Sequence, residues 1–119
     1  MRLPREPFFW ALFSSGGMLA ALVLPALAAV LFFALPLGLT WGWLEAGHGA
    51  LLARFAHPLT RLALFVLVAL SMFHWAHRFR YTLYDGLQLY HLSALIAVLC
   101  YGGAAAATLG AAWFLVTFP

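Results

Sequence analysis

Three apolar runs take up most of this chain: Phe8 to Leu39, Pro58 to Phe79 and Leu92 to Phe118. About 20 consecutive apolar residues are enough to cross the hydrocarbon core of a bilayer as a helix, and each run reaches that length. Of the 119 residues, 66% are hydrophobic and 8% charged. An average soluble domain is about 45–50% apolar and roughly 25% charged, so water could not solvate this surface. The chain therefore reads as a single domain, residues 1–119, of the all-α integral membrane class. It has three transmembrane helices at roughly 15–39, 58–80 and 92–118.

Local signals refine these limits. Pro25 interrupts the first run and removes one backbone donor, which predicts a kink there. Pro36 and Gly38 mark its end. Pro58 suits the first turn of the second helix, where its missing N–H costs nothing. Gly86 is the expected stop after it. The N-terminus combines charge with apolar residues, as a signal peptide would. Glu6 and Pro7 interrupt it, however, and the apolar run outlasts a signal core of about 7–15 residues, so the first helix is expected to be retained.

Charge narrows the function. All six basic residues are arginine, and the net charge is +3 with histidine neutral. That is no footprint for nucleic acid, which needs a clustered basic face. The single cysteine, Cys100, excludes an internal disulfide and a four-cysteine metal site and is expected to pack against a helix. Arg2, Arg5, Arg78 and Arg80 fall at one membrane side, Arg54 and Arg61 at the other. The bias predicts a cytoplasmic N-terminus.

The connection from Thr40 to His57 holds Trp41, Trp43, Glu45 and His48. The tryptophans suit an aromatic belt, and Leu51, Leu52, Phe55 and Ala56 suit a short amphipathic piece lying on the membrane. His48 and His57 read as loop residues. The second connection, Arg80 to His91, is rich in tyrosine. Gly16/Ala20, Gly17/Ala21 and Gly102/Ala106/Gly110 are small-xxx-small patterns that favour close helix contact. Three short helices share little core, so a second membrane protein is expected as partner.

The chemistry-bearing stretch is Ser71-Met72-Phe73-His74-Trp75-Ala76-His77-Arg78-Phe79-Arg80-Tyr81-Thr82-Leu83-Tyr84-Asp85-Gly86-Leu87. At about 100° per residue, His74, His77, Arg78, Tyr81 and Asp85 share a face. A polar seam on an apolar helix must face protein, water or a ligand. A quinone ring is a ligand of the right kind. It needs donors for its oxygens and a proton exchanger, roles suited to Arg78 and His77. Tyr81 and Asp85 are supporting members, and Asp85 orients Arg78 through water or ends the helix as a solvated residue. The plainer reading of Arg78 is snorkelling to headgroups. His74 and His91 are the candidates for haem ligation, against ordinary packing. Trp10 and Phe13, three apart, share a helical face that suits either the wall of a ring pocket or an interfacial anchor.

The block Glu6-Pro7-Phe8-Phe9-Trp10-Ala11-Leu12-Phe13-Ser14-Ser15-Gly16-Gly17-Met18 carries more information than any of these singly. With Pro36-Leu37-Gly38-Leu39, and then His77-Arg78 followed by Asp85, it resembles the family of fumarate reductase D subunits along essentially the whole chain. The resemblance implies one of two small anchors in the bacterial inner membrane, the C subunit being the other. The anchors hold a flavoprotein and an iron–sulfur protein on the cytoplasmic face. Menaquinol is oxidised at the anchor, electrons pass through iron–sulfur clusters to FAD, and fumarate is reduced to succinate. The catalytic flavin site then lies on another polypeptide, and this chain holds no catalytic residue and no metal. The family's quinone pocket maps onto Trp10, Phe13, His77 and Arg78.

Anchors of this class typically lack haem. Two departures stand out. The family's segment after His-Arg can be histidine-rich, whereas here it is Phe79-Arg80-Tyr81-Thr82-Leu83-Tyr84, which implies another route for protons. His74 is an additional histidine, and it keeps a haem-bearing succinate dehydrogenase anchor as an alternative. A purely structural anchor is the third reading.

Overall fold

The computed structural model describes residues 4–39 and 47–119. Trp41, Trp43, Glu45 and Arg2, weighed above, lie outside the described residues, as does the side chain of His48. Every regular element described is helical. Helix α1 spans Glu6–Ala29 and continues as a π-helical turn, Val30–Ala34. A short α2 covers Gly47–Ala56. Helix α3 runs Pro58–Leu87, and a 3-10 turn at Tyr90–Leu92 leads into α4, Ser93–Thr117.

Three helical stretches are long and apolar enough to cross a membrane: Glu6–Ala34, Pro58–Leu87 and Tyr90–Thr117, of 29, 30 and 28 residues. At 1.5 Å per residue each is about 40–45 Å long, more than the roughly 30 Å hydrocarbon core. All three therefore reach into the interfacial layers or tilt.

The ends follow local chemistry. Pro7 sits in the first turn of α1 and Glu6 places its carboxylate at the positive end of the helix dipole. Pro25 cannot donate to the preceding turn, yet the helix continues through it. One turn later the hydrogen bonding widens: Leu35 N–H donates to the Val30 carbonyl at 2.9 Å and Leu39 N–H to that of Ala34 at 2.9 Å. Gly38, at φ 66°, supplies the left-handed turn that ends the segment.

His57 does more than occupy a loop. Its backbone is extended and its ring Nδ1 accepts from Leu59 N–H at 3.2 Å, capping α3 ahead of Pro58. At the other end, α3 runs past the expected stop at Gly86, so Arg80–Leu87 is helix rather than loop. The residue in the left-handed conformation is Gln88, φ 53°, whose N–H donates to the Leu83 carbonyl. Leu89 N–H reaches that same carbonyl at 3.4 Å, so the two bonds close the helix end together.

Helix α3 is the central element. It packs on α4 along one side and on α1 along another, and α2 rests against it. The buried cluster belongs to the α3–α4 hairpin: Ala76 and Tyr84 from α3, Ile96, Cys100 and Ala104 from α4. Cys100 is a buried free thiol within it. Arg61, near the start of α3, donates from its guanidinium to the Phe118 carbonyl at 2.9 Å and ties the far end of the hairpin.

The α1–α3 contact is closer still. Gly16 is the one buried residue of α1. A methyl group there would run into the Leu70 carbonyl and stand 3.1 Å from His74 Cβ. One at Gly17 would meet the His74 ring, with Nδ1 at 2.9 Å. The small residues of α4 are different. Gly102, Gly103 and Gly110 have open space where a Cβ would go, so among the described residues nothing packs on that stripe.

Gly16→Ala is therefore expected to destabilise the protein by about 1–3 kcal/mol, the usual cost of overpacking a tight contact. Gly86→Ala, where a Cβ meets nothing within 4 Å, is expected to be neutral or slightly stabilising. Thermal unfolding of the two variants in the same lipid or detergent compares them directly.

Candidate functional site

Helices α1 and α4 flank α3, and the space beside α3 near the start of α1 forms a cavity of about 630 Å³. Its walls are Phe9, Trp10 and Phe13 of α1, Leu70, Phe73, His74 and His77 of α3, and Tyr101 of α4. Glu6 and Leu12 complete the lining. Cavities of roughly 300–1,000 Å³, apolar with a few polar groups, are the usual form of small-molecule sites.

The rings lock together across the α1–α3 contact. Phe13 stacks on His74 with centroids 4.4 Å apart and planes at 22°. The edge of His77 meets Phe13 at 4.8 Å, and Trp10 stands edge-on to Phe13 at 5.8 Å and to His77 at 6.5 Å. Tyr81 closes the row, 4.9 Å from His77.

The two histidines have different partners. His74 Nδ1 lies 2.8 Å from the Phe13 carbonyl. A carbonyl can only accept, so Nδ1 carries the proton and donates. That bond crosses from α3 to α1 and is possible because Gly17 has no side chain to hold the ring away. The additional histidine thus clasps two helices. His77 Nδ1 lies 2.8 Å from the Tyr101 hydroxyl on α4.

Behind His77 is a second polar group. Arg80 Nε donates to the Tyr84 hydroxyl at 2.8 Å, and another of its nitrogens reaches the Tyr101 hydroxyl at 3.5 Å. Tyr84 in turn donates its O–H to the Ser93 carbonyl at 2.8 Å. The guanidinium carbon lies 5.3 Å from the Tyr81 and Tyr84 ring centroids and 5.6 Å from that of Tyr101. Three ring faces and two hydroxyl oxygens surround this half-buried cation.

Of the residues singled out from sequence, the fold brings Trp10, Phe13, His74 and His77 to one cavity. Arg78 is exposed and outside its lining. Asp85 is exposed and accepts from the Tyr90 hydroxyl at the α3–α4 turn. His91 is exposed in the 3-10 turn before α4. Sequence reasoning misses Tyr101, Arg80 and Tyr84. Tyr101 lies in an apolar run where only its hydroxyl distinguishes it, and Arg80 and Tyr84 lie in a stretch that reads as loop. Among the described residues, no three His, Cys, Asp or Glu side chains gather in a way that could hold a metal ion.

Three membrane-length helices, with an aromatic and histidine-walled cleft near one end, define a multi-pass membrane protein with a ligand-sized cavity in its bundle. The comparisons make this specific. Residues 1–116 match the family model that describes the D subunit of fumarate reductase. The chain is 49% identical over 117 residues to the fumarate reductase D subunit of Mycobacterium tuberculosis, covering 98% of this chain and 90% of that one. The Mycobacterium bovis protein of the same name matches equally. The Shewanella putrefaciens D subunit is 32% identical over 111 residues, 92% of this chain and 89% of its own. The chain belongs to the family of fumarate reductase D subunits. It is accordingly a membrane-anchor subunit of an oxidoreductase complex.

Tyr84→Phe removes both the acceptor of Arg80 Nε and the donor to the Ser93 carbonyl. Its expected cost is about 1–3 kcal/mol, because partners in a half-buried site are left unpaired. Hydrogen exchange at the α3–α4 turn is expected to quicken with it, and mass spectrometry of the exchanged protein measures that.

Proposed function

We propose that this chain anchors a fumarate reductase in the bacterial inner membrane and supplies one wall of its menaquinol-oxidising site. The single observation that carries the reading is the shared cavity of Trp10, Phe13 and His77, brought from α1 and α3 to one end of the bundle. Its size and apolar lining suit a naphthoquinone-sized ring, and the residues present fit such a group. Trp10 and Phe13 offer aromatic surfaces, while His77 offers a hydrogen-bonding nitrogen to a ring oxygen. Bound menaquinol would supply the electrons for fumarate reduction and the protons released with them.

Arg78 enters the proposal from outside the cavity. It sits on the exposed surface one residue after His77, with its charge available to a neighbouring polypeptide or to a ring oxygen at the cavity's edge. The proposed supporting residues of the site are Tyr81, which packs on His77, and Asp85, which accepts from the Tyr90 hydroxyl. The cavity end of the bundle carries Arg5, Arg78 and Arg80, and Arg54 and Arg61 lie at the other end. That supports a cytoplasmic N-terminus by the positive-inside bias. The same side then meets the iron–sulfur protein and, through it, the flavoprotein with its FAD. The second anchor, the C subunit of the complex, is the proposed membrane partner that completes the pocket. The exposed aromatic surface of Phe8, Phe9 and Trp10 suits such a contact.

In the assembled complex, His77→Ala and Arg78→Ala are each expected to lower quinol-driven fumarate reduction by about tenfold or more, the scale of a lost charge-assisted or positioned hydrogen bond. Fumarate reduction from an artificial donor to the water-exposed subunits is expected to persist. Equal loss of both activities would instead assign these residues to assembly.

A further inference from the structure

The hydrogen-bond chain behind the cavity fixes more than the position of His77. A guanidinium has only donors, so the Tyr84 hydroxyl accepts from Arg80 at 2.8 Å, and the Tyr101 hydroxyl faces a second Arg80 nitrogen at the longer distance of 3.5 Å. Each tyrosine then has a single proton to give. Tyr84 gives its proton to the Ser93 carbonyl at 2.8 Å. Tyr101 has the His77 Nδ1 at 2.8 Å. A nitrogen that accepts there is unprotonated, and a neutral imidazole must then carry its proton on Nε2.

We infer that Tyr101 is a positioning residue of the cavity: oriented by Arg80, its hydroxyl holds His77 in the Nε2–H tautomer and so presents a donor to a ring oxygen. The kinetic part of this inference rests on the quinol reading of the cavity, whereas the tautomer does not. His74, three residues earlier on the same helix, carries its proton on the other nitrogen because a carbonyl faces Nδ1. The pair therefore differ in tautomer for a reason visible in their partners. The ligand selected is one with an oxygen acceptor on a flat ring, the class to which quinones belong. A purely apolar ring gains nothing from this arrangement.

The test is ring-nitrogen NMR on the full complex with isotope-labelled histidine, the His77 signals being identified by their loss in His77→Gln. Native protein is expected to show His77 unprotonated at Nδ1 and protonated at Nε2. Tyr101→Phe is expected to give a mixture of tautomers and to lower kcat/KM for a soluble menaquinol analogue about three- to tenfold. A His77 protonated at Nδ1 in native protein, or a His77 spectrum unmoved by Tyr101→Phe, overturns the inference. If Tyr101→Phe fails to assemble, Arg80→Gln decides: a shift toward mixed tautomers supports the chain, and an unchanged spectrum overturns it. A tautomer change without any kinetic change supports the positioning role and counts against the quinol reading alone.

Discussion

Everything near the cavity depends on how closely α1 approaches α3. Lipid provides no hydrophobic drive for two apolar helices to meet, so packing and interhelical hydrogen bonds must do it. Here both act at one place. Gly16 lets the α1 backbone come against the Leu70 carbonyl, and Gly17 leaves room for the His74 ring. That ring then donates to the Phe13 carbonyl at 2.8 Å and stacks against the Phe13 ring. Phe13 is thereby held by its backbone and its side chain at once. Trp10, one turn earlier, inherits its position from the same contact. A wider approach would separate the aromatic wall from His77 without breaking either helix.

The other flank of α3 solves a different problem. A cation within a membrane-length helix is costly unless it is housed. Arg80 is housed by tyrosines: hydroxyls for its N–H groups and ring faces for its charge. The same tyrosines are structural. Tyr84 is buried in the hairpin core with Ala76, Ile96, Cys100 and Ala104, and its hydroxyl satisfies the Ser93 carbonyl at the start of α4. Core packing and charge accommodation are thus one construction. This is what allows a polar end on a helix whose first half is almost wholly apolar.

The apolar runs made the three helices legible, because length and hydrophobicity decide what crosses lipid. The polar end of α3 was less so. Arg80, Tyr81, Thr82 and Tyr84 look like loop residues in a hydropathy reading, yet their backbone bonds stay helical while their side chains pair or stack nearby, Thr82 with the Arg78 carbonyl at 2.9 Å. The wheel that grouped His74, His77, Arg78, Tyr81 and Asp85 gives angles around one axis only. It holds no information about where α1 and α4 stand. With neighbours on two sides, His74 serves α1, His77 reaches α4, and Arg78 is left on the outside. Tyr101 was invisible for the same reason: its importance comes from which residue faces it across the hairpin, and no spacing within α4 encodes that.

Two histidines on one helix, a single turn apart, illustrate how little residue type alone decides. Imidazole is both donor and acceptor, and its partner chooses. Opposite His74 stands a backbone carbonyl, which has no proton to offer, so the ring donates and binds helix to helix. Opposite His77 stands a hydroxyl, which unlike a carbonyl has a proton to donate, and on the inference above the ring there answers to that donor. The difference traces back to the neighbours' sequences: two glycines in α1 that let a backbone be reached, and a tyrosine in α4 that reaches back. The clasp fixes the cavity's shape, and the hydroxyl fixes the polarity of the one His77 nitrogen it leaves unengaged. Shape and polarity therefore come from different helices, with α3 carrying both histidines between them.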